Sequence, residues 1–227
     1  TTSLFSNTTG STNTALGDAA LKENTTASNN TAVGKDALRA NTTGTGNNAF
    51  GSLALDANTT GNYNVAIGDS SLGSATTASN NTAVGSAAAT STTTGANNTA
   101  VGFEALRFNT SGHSNTAVGK VSQTAVTTGV RNTSIGMNSA LKTTTASDNT
   151  ALGYASLQEN TTGADNVAVG KDALLLNTTA SYNTAIGKSA LAANTTAIEN
   201  TAVGYSALKA NTTGANNVAV GSTTLYA

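Results

Sequence analysis

The side chains that recur at constant spacing and could carry chemistry are amides and hydroxyls. Asn41-Thr42-Thr43-Gly44 returns as Asn58-Thr59-Thr60-Gly61, seventeen residues on. Each copy holds an Asn-x-Thr acceptor for an N-linked sugar and two hydroxyls for O-linked ones. Asn41, Thr42, Thr43, Asn58, Thr59 and Thr60 are therefore expected as glycan-bearing positions in a secreted protein. The period itself generates most of these acceptors. Catalytic groups do not recur. There is one histidine, His113, at an outward position, and no cysteine. No carboxylate repeats with the period, so neither a calcium-binding roll nor a paired acid and base is expected. Dinucleotide-binding and P-loop patterns are absent. The reading is of a chain that is not an enzyme and needs no cofactor or metal.

Composition narrows the class further. Charged residues make up 9% of the 227 and the net charge is −1, which leaves no electrostatic footprint for nucleic acid. No apolar run approaches the ~20 residues that span a bilayer, so membrane insertion is not expected. Low charge also argues against ordinary disorder. The bias to Thr, Ala, Asn and Gly is that of a repeat protein.

The elements that must position these side chains follow from the period. Units begin at Asn13, Asn30, Asn47, Asn64, Asn81, Asn98, Asn115, Asn132, Asn149, Asn166, Asn183, Asn200 and Asn217, and every step is 17 residues. The consensus is N-T-A-V-G-x-x-A-L-x-x-N-T-T-G-x-N. Repeats joined by free loops tolerate insertions, whereas a coil in which each residue stacks on its equivalent does not. Gly, Thr and Asn in every unit oppose helix. The expected fold is all-β: one parallel β-solenoid over residues 1–227, with 17-residue coils filling 13–216 and partial coils at 1–12 and 217–227.

Within the unit, the fourth position is always apolar (Val33, Phe50, Ile67, Val84, Val101) and the ninth is mostly Leu (Leu38, Leu106, Leu208). These rows are expected to form the core, with the second position on the same face as the fourth. The third position is Ala except at Ser134, and the fifth is Gly throughout: Gly34, Gly51, Gly68, Gly85 and Gly102 are examples. That small face, opposite the fourth position, is expected either to pack against another chain or to let the coil's two walls sit close together. The Gly row is expected either to hold a positive φ at a corner or to admit another backbone. All 21 charges fall at positions 6, 7, 10, 11 and 17, and this exclusion is read as the mark of an interior. Asn30, Asn47, Asn64, Asn81 and Asn98 open their units and are expected to stack as an amide ladder. Asn recurs at position twelve. Of the adjacent Thr rows at thirteen and fourteen, one is expected to face in and one out. The middle departs from the pattern. Gln123 replaces a Leu, Val126 replaces an Asn, and Ala140-Leu141 arrives one residue late, so a local bulge with weaker packing is expected there.

With these motifs in view, "NTAVG…AL" resembles the head repeats of trimeric autotransporter adhesins (the YadA-like, Hep_Hag class). It is closer still to the "NTAVG…AL..NTTG" arrays of bacteriophage tail fibres and surface fibres. The resemblance covers the whole chain, at unit positions 1–5, 8–9 and 12–15. The adhesin unit is shorter, and the added length here sits at "NTTG". The resemblance implies a left-handed, homotrimeric β-roll on a cell or virion surface or otherwise extracellular, serving as spacer or adhesive surface. The expected function is a structural segment of a fibre, assembling with copies of itself by lateral trimerisation or end-to-end stacking. The chain starts and stops mid-unit, at Thr1 and Ala227, and axial growth or origin in a longer rod is expected. The alternative is an adhesin head binding surface glycans, since eight of the nine aromatics (Phe5, Tyr63, Phe103, Phe108, Tyr154, Tyr182, Tyr205, Tyr226) fall at outward positions. A lesser alternative is ice binding by the Thr rows, although an adjacent Thr pair presents a single outward rank.

Overall fold

The computed structural model describes residues 2–225. Tyr226, one of the outward aromatics, lies outside them. The chain divides into two compact units, Thr1–Ser114 and Asn115–Ala227. Both are built from the same coil. The first holds β1 (Thr14–Leu16), β2 (Thr31–Val33), β3 (Asn48–Phe50), β4 (Val65–Ile67), β5 (Thr82–Val84) and β6 (Thr99–Val101). The second holds β7 (Thr116–Val118), β8 (Thr133–Ile135), β9 (Thr150–Leu152), β10 (Val167–Val169), β11 (Thr184–Ile186), β12 (Thr201–Val203) and β13 (Val218–Val220). No helix occurs among the described residues. Within each unit successive strands pair in parallel with a shift of one repeat: Ala32 faces Ala49 and Ala168 faces Ala185. The fold is a β-solenoid of 17-residue coils.

Each strand occupies unit positions two to four. The rest of the coil is turns, and left-handed backbone makes them. Positions seven, nine and seventeen carry positive φ without glycine, as in Asp36 (57°), Leu38 (50°) and Asn29 (61°). Asn suits that geometry; Leu does not, at a cost of about 1–2 kcal/mol. Burying the Leu side chain returns about 1.5–3 kcal/mol. The strain is thus offset by placing the leucine in the interior of the coil, where Leu21, Leu38, Leu55, Leu72 and Leu106 are fully buried in the first unit.

The strand polarity is the reverse of that expected from sequence. The Ala row is inside: Ala32, Ala49, Ala66 and Ala83 are wholly buried. Val33, Phe50, Ile67, Val84 and Val101 point outward, with Phe50 42% and Ile67 41% exposed and the three valines half-buried. The reason is volume. The leucine of position nine already fills the lumen of a thin coil, and the facing wall has room only for a methyl group. Leu38, Leu106 and Leu208 do lie in the core. The small face is accordingly not free to receive another chain.

The glycine row does both things proposed for it. Gly34, Gly51, Gly68 and Gly85 have φ between +126° and +139°. A Cβ on any of them would stand 2.4–2.6 Å from a carbonyl group in the next coil.

The late Ala140-Leu141 produces no bulge. Register is kept from Thr133↔Thr150 to Ile135↔Leu152. Ala140 occupies the buried ninth position and Leu141 turns toward solvent at the tenth. Packing there is poor in a different way. Gln123 is fully buried with neither amide atom bonded, and the Ser134 and Thr143 hydroxyls are also unpartnered. Gln123→Leu removes two unpaired polar atoms and restores the leucine row. It is expected to raise stability by about 2 kcal/mol, read as a higher urea midpoint at unchanged slope.

Candidate interaction surface

The outward face of the strands combines positions two and four. In the second unit it presents Thr116, Thr133, Thr150, Val167, Thr184, Thr201 and Val218 beside Val118, Ile135, Leu152, Val169, Ile186, Val203 and Val220. Ile135, Leu152 and Ile186 are about 40% exposed. The first unit repeats the arrangement, with Asn48 and Val65 as the exceptions in the second position. No charge falls in either row. At positions two and four the exclusion of charge therefore belongs to an exposed sheet face, whereas at positions one, three, eight, nine and twelve it does mark the interior. Contiguous apolar surface of this kind marks association sites.

The corners that hold this face flat are amides. Asn30 and Asn41 of one coil both donate to Gly44 O, each at 2.9 Å. Asn30 Oδ1 accepts the Asn47 backbone N–H at 2.8 Å, and Asn47 Oδ1 accepts that of Asn64 at 3.0 Å. Asn64 serves Asn81 and Asn81 serves Asn98 in the same way. In the first unit the twelfth-position ladder runs Asn7–Asn24–Asn41–Asn58 and stops where Ala75 follows, leaving Asn58 Oδ1 without a partner; in the second it runs Asn160–Asn177–Asn194–Asn211.

These ladders decide the glycan positions. Asn41 and Asn58 are wholly buried with their amide nitrogens engaged, so they cannot carry sugar in the folded coil. Thr42 and Thr59 are half-buried and donate to the Thr59 and Thr76 carbonyls at 3.1 Å. Only Thr43 and Thr60 of the six expected positions stand exposed. The acceptors at Asn29, Asn80 and Asn97 are exposed as well. The Thr pair is thus split between a bonded rank and a free rank.

Charge is arranged along the coil stack. Arg39 reaches Asp56, Arg131 forks onto Asp148 at 2.7 and 2.8 Å, and Lys142 meets Glu159, each pair one repeat apart. Burial lifts the Asp56 carboxyl above its usual range against the pull of Arg39. The guanidinium hydrogen bond of Arg131 lowers that of Asp148, and Lys142 lowers that of Glu159. Pairs at an exposed surface are screened by water and add little to stability. They favour register more than stability.

Nothing in the described residues gathers catalytic groups. His113 is exposed, with Nδ1 3.3 Å from Ser114 Oγ. No group of three metal-ligating side chains and no ligand-sized cavity is present among the described residues. No helix there is long and apolar enough to cross a membrane. Phe5, Tyr63, Phe103, Phe108, Tyr154, Tyr182 and Tyr205 are all exposed. The missed feature, the outward aliphatic row, had a signal in the sequence. Its members vary in size from Val to Phe, whereas the row beside it stays at Ala.

The molecule is thus a β-solenoid repeat protein, and each of its two units presents an uncharged, partly apolar sheet face. Comparison with family models, curated proteins and solved structures returns no match.

Proposed function

We propose that the chain is a structural segment of an extracellular or phage-type fibre, whose copies associate side by side through the outward face of the strands. The observation that carries this reading is the apolar row at the fourth position, exposed or half-buried in every coil with no charge in it. Burying the part that remains exposed, about 40% of Ile135 or Ile186, against another copy is worth about 0.6–1.2 kcal/mol for each side chain. A second copy matches the face well, because a chain of the same repeat keeps step with it at ~4.8 Å per rung and presents the same uncharged row at every step. The resemblance of "NTAVG…AL" to trimeric adhesin heads and tail fibres supports a three-chain bundle. The faces then meet around a common axis, and the charged positions remain in water. Ladders that accept another coil on either side suit such a segment to axial load.

Sedimentation of the full chain tests this. A multiple of 22.2 kDa is expected. Val169→Lys combined with Ile186→Lys should shift it to monomer with circular dichroism unchanged, since both side chains point away from the core. A monomeric parent at high concentration would refute the reading.

A further inference from the structure

Position six follows the glycine corner and stands apart from the strand face. In the second unit it reads Lys120, Met137, Tyr154, Lys171, Lys188, Tyr205 and Ser222, all exposed, with no acidic residue in the row. Two lysines lie against the aromatic ring one repeat away. Lys171 Nζ is 5.5 Å from the Tyr154 ring centre, and Lys188 Nζ is 5.7 Å from that of Tyr205. Asp172 is the one acid beside them, 3.9 Å from Lys171 and half-buried, while Lys171 itself is exposed. The same position in the first unit holds Asp18, Lys35, Ser52, Asp69, Ser86 and Phe103, which is neither basic nor regularly aromatic. The clustering is therefore not imposed by the repeat.

From this row we infer a binding surface for an extended anionic polysaccharide, one that carries a carboxylate on each sugar. Tyr154 and Tyr205 are three rungs apart, roughly 14 Å, with two ammonium groups between them. An extended pyranoside chain advances by a distance of the same order as one rung, so it can follow the row in step. The apolar C–H faces of its rings stack on the tyrosines, and its carboxylates meet Lys171 and Lys188 in charge-assisted hydrogen bonds. Prior contact with the rings holds the lysines at the surface, which lowers the entropy lost on binding. Duplex DNA fits less well, because it turns phosphates outward at one charge per ~1.7 Å and offers no sugar C–H face to stack on the tyrosines.

The full chain is passed over immobilised polygalacturonate, neutral dextran and double-stranded DNA at low and moderate salt. Retention on polygalacturonate alone is expected. Serine occupies this row at Ser52 and Ser86, so it is an accommodated substitute. Tyr154→Ser with Tyr205→Ser, and separately Lys171→Ser with Lys188→Ser, should each weaken binding about tenfold or more. Lys35→Ser in the first unit should not. Sedimentation of every variant should match the parent, which separates this surface from the strand face. Three results would each overturn the inference: no retention of the parent, equal retention on DNA, or tyrosine variants that bind like the parent, the last being ion exchange without stacking.

Discussion

Gly170→Ala is expected to cost more than about 4 kcal/mol, enough to open the coils around it. Two effects combine. Gly170 has φ +128°, a conformation that L side chains rarely adopt. The added methyl would also lie 2.7 Å from both the carbonyl carbon and oxygen of Gly187 in the next coil. Those are backbone atoms of a neighbour that is itself tied down, since Gly187 N–H donates to Val169 O at 2.7 Å. The only relief is to part the rungs and break that ladder. Gly73→Ala makes the control. Its nearest neighbours would be 3.3–3.6 Å away and its φ is not positive, so the loss should stay below about 1 kcal/mol, offset in part by lower unfolded-state entropy. Urea denaturation of the two variants reads the difference directly.

Asn166→Ala is expected to cost about 3 kcal/mol. Asn166 is fully buried and sits inside the amide ladder. Its Nδ2 donates to Ala180 O at 2.9 Å and Asn149 Oδ1 at 3.1 Å, and its Oδ1 accepts the Asn183 backbone N–H at 3.0 Å. Truncation leaves that N–H without its acceptor in the interior, where an unmade bond carries its full desolvation cost. An Asp at the same site keeps the acceptor but loses the donor and buries a charge, so it should be no better than Ala. Thermal melts of the two variants, with amide exchange at Asn183, would test this.

The period made the solenoid legible from sequence alone. Invariant Gly and Asn positions also announced their roles, because each is set by backbone geometry or by an amide that only its own kind can answer. Polarity was not legible by the same route. Strand alternation says that Ala32 and Val33 face opposite ways, but not which way is in. Hydrophobicity favoured Val33; volume, which depends on how much lumen Leu38 leaves free, favoured Ala32. Charge exclusion could not decide, because a core and an uncharged association face exclude charge alike. The buried Asn-x-Thr acceptors misled for a related reason: Asn41 satisfies the motif locally, while its burial is set by coils seventeen residues away on either side. Ala140-Leu141 shows the strength of the register. The chain accepts a small residue in the core and a leucine at the surface in preference to shifting one strand.

The central claim is that the fourth position faces a partner and the ninth faces the lumen. The chain contains no cysteine, so a single introduced thiol reports on one position without background. The most direct measurement is the rate of thiol modification of Val169→Cys and Leu174→Cys, each at concentrations above and below dissociation. The thiol at position 174 is expected to stay unreactive at both concentrations, and the thiol at position 169 to be protected when copies associate and to react freely on dilution. Equal protection of both thiols at every dilution would place the aliphatic row in the core of a single chain and contradict that claim.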